Sequence, residues 1–303
     1  SKISSLKKHH PPFFEPELEN YLNNKEILGN VNFSSEYKSI AWDNVDIVMV
    51  CVQTPSLESN QIDTSFVKKV FMSIQNYIND NTVVCIKSTI HPEALKKIVA
   101  ELSFDESRIV FNPEFLREGS AFTDFFQPDR IVIGSTDKEN AKKVGLLYKD
   151  LDTEILFTDP VSSQLIKYLS NAYLPLRLSF VNEASQIISA MGGNLKDTLK
   201  GIGMDTRIGQ NYFRPSPGWG GSCFPKDVAE INSIIKSNNL NLPLISNIKE
   251  SNSNHQEWFA EYLINLKNEK IFENIFLIGL AFKDNTDDLR HSPTISIYKI
   301  LDS

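Results

Sequence analysis

Asp46-Ile47-Val48-Met49-Val50-Cys51-Val52 is an unbroken apolar run rich in β-branched residues, closed by Thr54-Pro55-Ser56. Such a run, without polar alternation, fits a parallel strand buried on both faces. A helical stretch from Thr64 to Asn79 follows, then a second run, Thr82-Val83-Val84-Cys85-Ile86, ending in Lys87-Ser88-Thr89. A helix over Glu93 to Leu102 leads to a third strand, Arg108-Ile109-Val110-Phe111, ending in Asn112-Pro113-Glu114. Arg130-Ile131-Val132-Ile133-Gly134 and Glu154-Ile155-Leu156-Phe157 read as a fourth and a fifth. Strands alternating with helices predict a doubly wound α/β domain with a parallel sheet, here residues 1–158. Ligands bind such sheets at the carboxyl ends of the strands, where Thr54, Lys87 to Thr89 and Asn112 to Glu114 stand. Upstream, residues 1–45 are polar, with one short helix over Phe13 to Leu22 opening at Pro16.

Downstream of Asp159 the pattern becomes helical. Ser162 to Met191 carries an apolar stripe of Leu165, Leu169, Ala172, Tyr173, Leu176 and Phe180. Pro175 is expected to kink this helix and Gly192-Gly193 to close it. A helix from Leu195, a glycine-rich loop, and helices from Asp227 to about Leu266 complete an all-α central domain, residues 159–266. The long apolar helix offers more surface than its short neighbours can cover, so a homodimer through it is expected. Ile275 to Phe282 then reads as a sixth buried strand, followed by a helix near Pro293. Residues 267–303 are thus the start of a second α/β domain.

The 303 residues are 41% hydrophobic and 23% charged, as in an ordinary globular protein. The net charge of −7 argues against a nucleic-acid surface but allows a local cationic pocket. Three cysteines, with no close pair, suggest neither a metal site nor a disulfide framework. Cys51 and Cys85 lie in strand-like runs and are expected in the core. No run is long enough to span a membrane, and a reducing cytoplasm fits best.

Cys223 differs from the other two. It sits in Gly218-Trp219-Gly220-Gly221-Ser222-Cys223-Phe224-Pro225-Lys226-Asp227, where glycines let backbone approach a ligand and a cation stands three residues on. A thiol so placed can ionise and act as a nucleophile; equally, a free cysteine is commonly just a small buried hydrophobe. Lys167 and Asn171, four apart, share one helix face, though a lysine on a helix is ordinarily only solvated.

Four segments together, Lys87-Ser88-Thr89, Asn112 to Gly119, Gly220 to Asp227 and Gly279-Leu280-Ala281-Phe282-Lys283, resemble the nucleotide-sugar dehydrogenases of the UDP-glucose/GDP-mannose type. The resemblance runs from about Pro12 to Ser303. It implies oxidation of the sugar C6 alcohol of UDP-glucose to a carboxylate by two NAD⁺ in turn, through a covalent thioester. On this resemblance Cys223 is the nucleophile. Lys167 and Asn171 stabilise oxyanion character on the intermediates, Asp227 orients Lys167 or a water, Glu114 is the general base, and Thr89 lies at the same centre. A plain helix-start carboxylate is the other reading of Glu114. The cofactor is implied to lie near Val52, Thr54, Pro55, Ser88, Thr89, Glu118, Lys226 and Arg290. The nucleotide sugar is implied to meet Glu114, Phe115, Leu116, Lys167, Asn171, Gly220 and Lys283, with Tyr212, Phe213 and Trp219 flanking it. Arg207 resembles the family's sugar-contacting arginine, often supplied by a neighbouring subunit.

Two features depart from the family pattern. The opening strand with its Gly-x-Gly-x-x-Gly turn, and the acidic ribose-binding residue, are absent: the first glycines are Gly29 and Gly119. Most of the third domain is absent too, so a longer polypeptide is expected. GDP-mannose remains an alternative substrate, and a non-catalytic binding or oligomerisation module an alternative class. A thiol-redox protein is disfavoured, because Cys223 has no second cysteine nearby.

Overall fold

The computed structural model describes residues 2–55, 57 and 62–302; Ser56 and Ser303 lie outside them. The chain divides into two compact units, residues 1–167 and 168–303, the boundary falling within one long helix, Pro160–Ala190.

The first unit is built on five strands, β1 (Ile47–Val50), β2 (Val83–Ile86), β3 (Ile109–Phe111), β4 (Ile131–Ser135) and β5 (Ile155–Thr158), in that spatial order. Each of the five expected runs forms a strand within a residue or two of its expected limits. Residue parity sorts the side chains between the two faces. Val84 and Ile86 of β2 pack with Val67, Phe71 and Ile74 of helix Ser65–Ile74 and with Leu95 and Ile98 of helix Pro92–Glu101. Val83 and Cys85 turn to the opposite face, against Ile131, Ile133, Ala141, Val144 and Tyr148. Each such side chain taken fully from water contributes roughly 1.5–3 kcal/mol. At Gly134 a Cβ would lie 2.2 Å from Ser163 Oγ, so only glycine lets β4 meet the start of the long helix.

The sheet is not wholly parallel. β1, β2 and β3 run together, β4 is antiparallel to β3, and β5 is parallel to β4. The Asn112–Arg130 connection contains only the six-residue helix Ala121–Phe126 and returns to the end of the sheet it left. Parallel pairing needs a crossover that traverses the sheet. Cys51 also departs from expectation: β1 ends at Val50 and is an edge strand, so this thiol is exposed, whereas Cys85 is buried.

The short N-terminal helix is only Leu18–Leu22, because Glu17 takes a left-handed φ of 66°. Ahead of it, Glu15 accepts hydrogen bonds from the amides of Gly119 (2.9 Å) and Ala121 (2.8 Å), tying the start of the chain to the segment after Glu118.

The second unit is helical, with Leu195–Gly203, Phe224–Ser237, Ile248–Asn268 and Pro293–Leu301 beside the greater part of the long helix. That helix runs through Pro175 without interruption. It ends in a Schellman closure, Gly193 N to Ile188 O and Gly192 N to Ser189 O, with Gly192 at φ 70°. The expected sixth strand is absent: residues 274–280 have no regular structure, and Phe276 and Ile278 are 83% and 93% exposed. A strand needs a neighbour to satisfy its amides, and the described residues of this unit contain none.

The long helix departs from the usual amphipathic arrangement, although Tyr168, Ala172 and Val181 are buried. Its polar residues Ser163, Gln164, Lys167, Asn171, Ser179 and Asn182 are buried. Leu169, Tyr173, Phe180 and Ile187, about one or two turns apart, are 48% to 66% exposed. Of the apolar stripe read from the sequence, Leu169, Tyr173 and Phe180 face outward, Leu165 and Leu176 are half-buried and Ala172 is buried.

Candidate active site

Two clusters of chemistry-bearing side chains form, one in each unit. In the first, Asn112 ends β3 and is fixed on every side. Its amide donates to Ile86 O (2.9 Å), its Nδ2 donates to Val132 O (2.9 Å), and its Oδ1 accepts from Lys87 Nζ (3.2 Å) and from the Tyr148 hydroxyl. Burial lowers the pKa of Lys87, with Cys85, Cys51 and Glu114 pulling it back up. Burial also pushes the Cys85 thiol up to about 12, so it stays protonated and inert. Pro113 then turns the chain and aims Glu114, whose Oε2 accepts from Leu116 N (2.7 Å). Lys167 Nζ donates to Glu114 Oε1 (3.0 Å) and to its carbonyl (2.6 Å). The Lys167 side chain is only 5% exposed and that of Glu114 29%. Phe115 is stacked under Arg130, 4.1 Å from its ring centre, with Lys167 Nζ at 5.4 Å. A cleft here is lined by Lys87, Asn112, Glu114, Phe115, Leu116 and Arg130.

Of the cofactor positions named above, Val52, Thr54 and Pro55 follow β1 and Ser88 and Thr89 follow β2, whereas Glu118 lies in the connection after β3 and Lys226 and Arg290 lie in the second unit. Ser88 Oγ donates to Val52 O (2.6 Å), joining the two strand ends, and Thr54 is buried beside them. Val52, Thr54, Pro55, Ser88 and Thr89 are therefore gathered at the strand ends where ligands bind such sheets. The glycine turn that would cradle a pyrophosphate is not among this chain's residues.

In the second unit Cys223 is the exposed N-cap of helix Phe224–Ser237, which Pro225 pre-sets at its first turn. One turn on, Asp227 is 1% exposed. Asn171 Nδ2 donates to its Oδ2 (2.6 Å), and Lys226 Nζ stands 3.4 Å from its Oδ1. Burial, and then the charges of Asp227 and Glu230, hold the Tyr168 phenol well above its ordinary pKa, so it stays neutral. Gly220 and Gly221 lie against residues 282–291. Gly221 N donates to Arg290 O (3.0 Å), and a Cβ on Gly220 would lie 1.9 Å from His291 O. Arg290 itself forks onto Asp288, Nε to Oδ1 at 2.8 Å and Nη2 to Oδ2 at 2.7 Å.

Not every expected ligand contact is open to a ligand. Phe213 and Trp219, named as flanking a nucleotide sugar, are 4% and 5% exposed and serve as packing. Tyr212 is half-buried at a left-handed φ of 54°, and Lys283 is exposed beside the Phe282 ring. Arg207 extends into solvent, 87% exposed, paired with Asp205 at 2.6 Å. Its loop is held by Arg177, which donates to the carbonyls of Ile208 (2.6 Å) and Gly209 (2.7 Å).

These observations match known proteins along the whole chain. Residues 1–152 match the model of the UDP-glucose/GDP-mannose dehydrogenase family, NAD binding domain, and residues 161–254 match the family's central domain. The UDP-glucose 6-dehydrogenase of Rickettsia felis is 36% identical over 99% of this chain and 68% of its own length. The chain belongs to the UDP-glucose/GDP-mannose dehydrogenase family. Within this family it is similar to UDP-glucose 6-dehydrogenase YwqF of Bacillus subtilis, 34% identical over 98% of this chain and 68% of the relative. Among solved structures, a UDP-glucose dehydrogenase from Pyrobaculum islandicum superposes with a TM-score of 0.86 at 32% identity, covering 99% of this chain and 71% of that one. The protein is accordingly an NAD-dependent nucleotide-sugar dehydrogenase by family. None of the described helices is long and apolar enough to cross a membrane.

Sequence reading missed His255, which is 2% exposed in helix Ile248–Asn268. Its Nε2 donates to Ser216 O (2.9 Å), and its Nδ1 accepts from Gln186 Nε2 (2.9 Å). Burial holds its pKa below the ordinary value, against the opposing pull of Ser216 and Glu183. The unfolded chain therefore takes up a proton first as pH falls, and stability drops through the window just below the ordinary histidine value. Thermal melts from about pH 7.5 to about pH 5.5 should fall more steeply for the wild type than for His255→Gln. Equal slopes would show that His255 does not titrate in this way. His91, also lowered by burial, adds the same background to both proteins.

Proposed function

We propose that the protein oxidises UDP-glucose at C6 to UDP-glucuronate, with Cys223 as covalent nucleophile. The observation that carries this reading is an exposed thiol capping a 14-residue helix, with a buried carboxylate–amide pair one turn away. When bound, NAD supplies the hydride acceptor for each of the two oxidations.

The alcohol proton passes to Glu114, partly through water, as hydride leaves C6 and an aldehyde results. An aldehyde has no readily lost hydride until a nucleophile adds. The Cys223 thiolate, favoured at a helix N-terminus, adds to the carbonyl carbon to give a thiohemiacetal. Loss of the second hydride leaves a thioester; water adds and expels the thiolate, giving the carboxylate. The sum is one alcohol, two NAD⁺ and one water converted to one carboxylate, two NADH and three protons. Lys167 and Asn171 donate to the oxygen carrying negative charge during these steps. Asp227, already bonded to Asn171, is a positioning residue. In this reading Thr89 borders the reacting centre, and Val52, Thr54, Pro55, Ser88, Glu118, Lys226 and Arg290 surround the cofactor. Phe115, Leu116, Gly220, Tyr212 and Lys283 surround the nucleotide sugar, in a cytoplasmic enzyme. GDP-mannose is the competing substrate.

The assay is NADH formed per sugar. Two NADH per UDP-glucose and none from GDP-mannose are expected; the reverse preference, or one NADH per sugar, would overturn the substrate or the four-electron course respectively.

The same proposal includes a homodimer. The outward stripe of Leu169, Tyr173, Phe180 and Ile187 lies on a helix about 45 Å long, and a second copy is the occupant whose own stripe matches it. Arg207, extended into solvent, would then be offered to the second copy. Light scattering should return twice the chain mass, and Tyr173→Glu should return it to one; a wild-type monomer would remove the dimer.

A further inference from the structure

The loop that leads into Cys223 is gripped by buried polar side chains from two helices, and nothing in the chemistry above uses them. From the long helix, Asn182 Oδ1 accepts from Ser216 N (2.9 Å) and Ser179 Oγ accepts from Trp219 Nε1 (3.0 Å). From helix Ile248–Asn268, His255 donates to Ser216 O. Asn252 captures Trp219 at both backbone groups: its Oδ1 accepts from Trp219 N (2.9 Å) and its Nδ2 donates to Trp219 O (3.0 Å). Asn252, His255 and Gln256 occupy one face of their helix, at i, i+3 and i+4. Gln256 completes the contact, since a Cβ on Gly218 would lie 2.7 Å from its Nε2.

A side-chain amide that donates and accepts at one residue does what a neighbouring strand would do, and it fixes that peptide in both position and rotation. Asn252 is 8% exposed, so water competes little for either bond. The clamped peptide at Trp219 stands four residues before Cys223. Gly220 and Gly221, which lie between, have no side chains to anchor and lie against residues 282–293. An inert core asparagine would need only to be satisfied. This one is spent on the backbone of the loop, and one helical turn away His255 gives one ring nitrogen to the same loop, at Ser216 O, and the other to Gln186 of the long helix.

We propose that Asn252 is a positioning residue for Cys223, acting through the Trp219 peptide; this rests on the reading of Cys223 as the nucleophile. It touches neither substrate nor cofactor. Its loss leaves the thiol present and, apart from Gly220 beside the clamp, the nucleotide-sugar contacts in place, while the sulfur no longer holds the attacking geometry. A displacement of about 1 Å at a reacting atom lowers rate on the order of 100-fold.

The test uses Asn252→Ala and Asn252→Asp in the purified protein, the latter keeping the acceptor for Trp219 N and losing the donor to Trp219 O. Three quantities are read: kcat and KM for UDP-glucose from NADH, and the iodoacetamide alkylation rate of Cys223 by peptide mass spectrometry, with exposed Cys51 as internal reference. For Asn252→Ala, kcat should fall about 100-fold while KM stays within about threefold. Alkylation of Cys223 should change severalfold against an unchanged Cys51. If the alanine variant does not fold, the aspartate variant decides by the same readings, with a smaller loss expected. A folded variant whose Cys223 alkylation and kcat match the wild type overturns the clamp. A wild-type protein that makes no NADH while its Cys223 reactivity still depends on Asn252 overturns the dehydrogenase reading and leaves the clamp standing.

Discussion

Cys223→Ser should abolish production of the sugar acid while leaving nucleotide-sugar affinity within a few-fold of wild type. A serine hydroxyl at the same N-cap is almost entirely un-ionised at neutral pH, so it cannot add to the aldehyde at a useful rate, and the second hydride is never released. A loss of at least about 1,000-fold in turnover is the expected scale for removing a covalent nucleophile. The substitution itself is small. The thiol is exposed, and serine is a good N-cap residue, so the melting temperature should hold. Isothermal titration with UDP-glucose, NADH formation and a thermal melt on one sample separate these effects. Single turnover should yield at most one NADH per sugar from the variant against two from the wild type. Full turnover by Cys223→Ser would remove the covalent route altogether.

Gly220→Ala should be nearly as damaging, for a steric reason. The added methyl would sit 1.9 Å from the carbonyl oxygen of His291 and 2.8 Å from its carbon, and both are backbone atoms. Neither can swing aside as a side-chain end could. The loop or the 282–291 segment must separate, breaking the adjacent bond from Gly221 N to Arg290 O. Overpacking of this kind costs about 1–3 kcal/mol. For a unit of this size that is roughly 2–4 °C of melting temperature per kcal/mol. Turnover should fall on the order of 100-fold or more, because the displaced backbone is three residues from the sulfur. A variant with wild-type melting temperature and kcat would mean that the two segments are not packed as described.

The sheet was legible because buried strands write themselves as continuous apolar runs, and β2 is buried at all four positions. Direction was not legible: the antiparallel entry of β4 depends on where the Asn112–Arg130 connection returns, which no run of residues encodes. The apparent sixth strand failed for a related reason. Ile275 to Phe282 has the composition of a strand, but pairing needs a partner outside the segment. Cys223, Glu114, Lys167, Asn171 and Asp227 stood out through motif and spacing, and the structure gives Lys167 to Glu114 and Asn171 to Asp227 as direct partners. The supporting residues were hidden. Asn252 and His255 lie in Ser251-Asn252-Ser253-Asn254-His255-Gln256, a polar stretch that reads as solvated; its one signal is a run of weak helix formers in mid-helix. The long helix misled in the opposite sense, since half of its apolar stripe, Leu169, Tyr173 and Phe180, lies on the outer face while polar residues such as Asn171 and Asn182 are buried.

The carboxylate of Glu15 has a bearing on how the chain is made. Its two amide partners lie 104 and 106 residues further along. At ordinary rates of synthesis, on the order of 5–20 residues per second, that is about 5–20 s during which the Glu15 segment has emerged and its anchor has not. Throughout that interval Phe13 and Phe14, which remain more than half exposed even in the finished fold, are presented by an untethered chain to whatever binds nascent polypeptides. The Glu15 segment thus waits for Gly119 and Ala121 before it can be fastened.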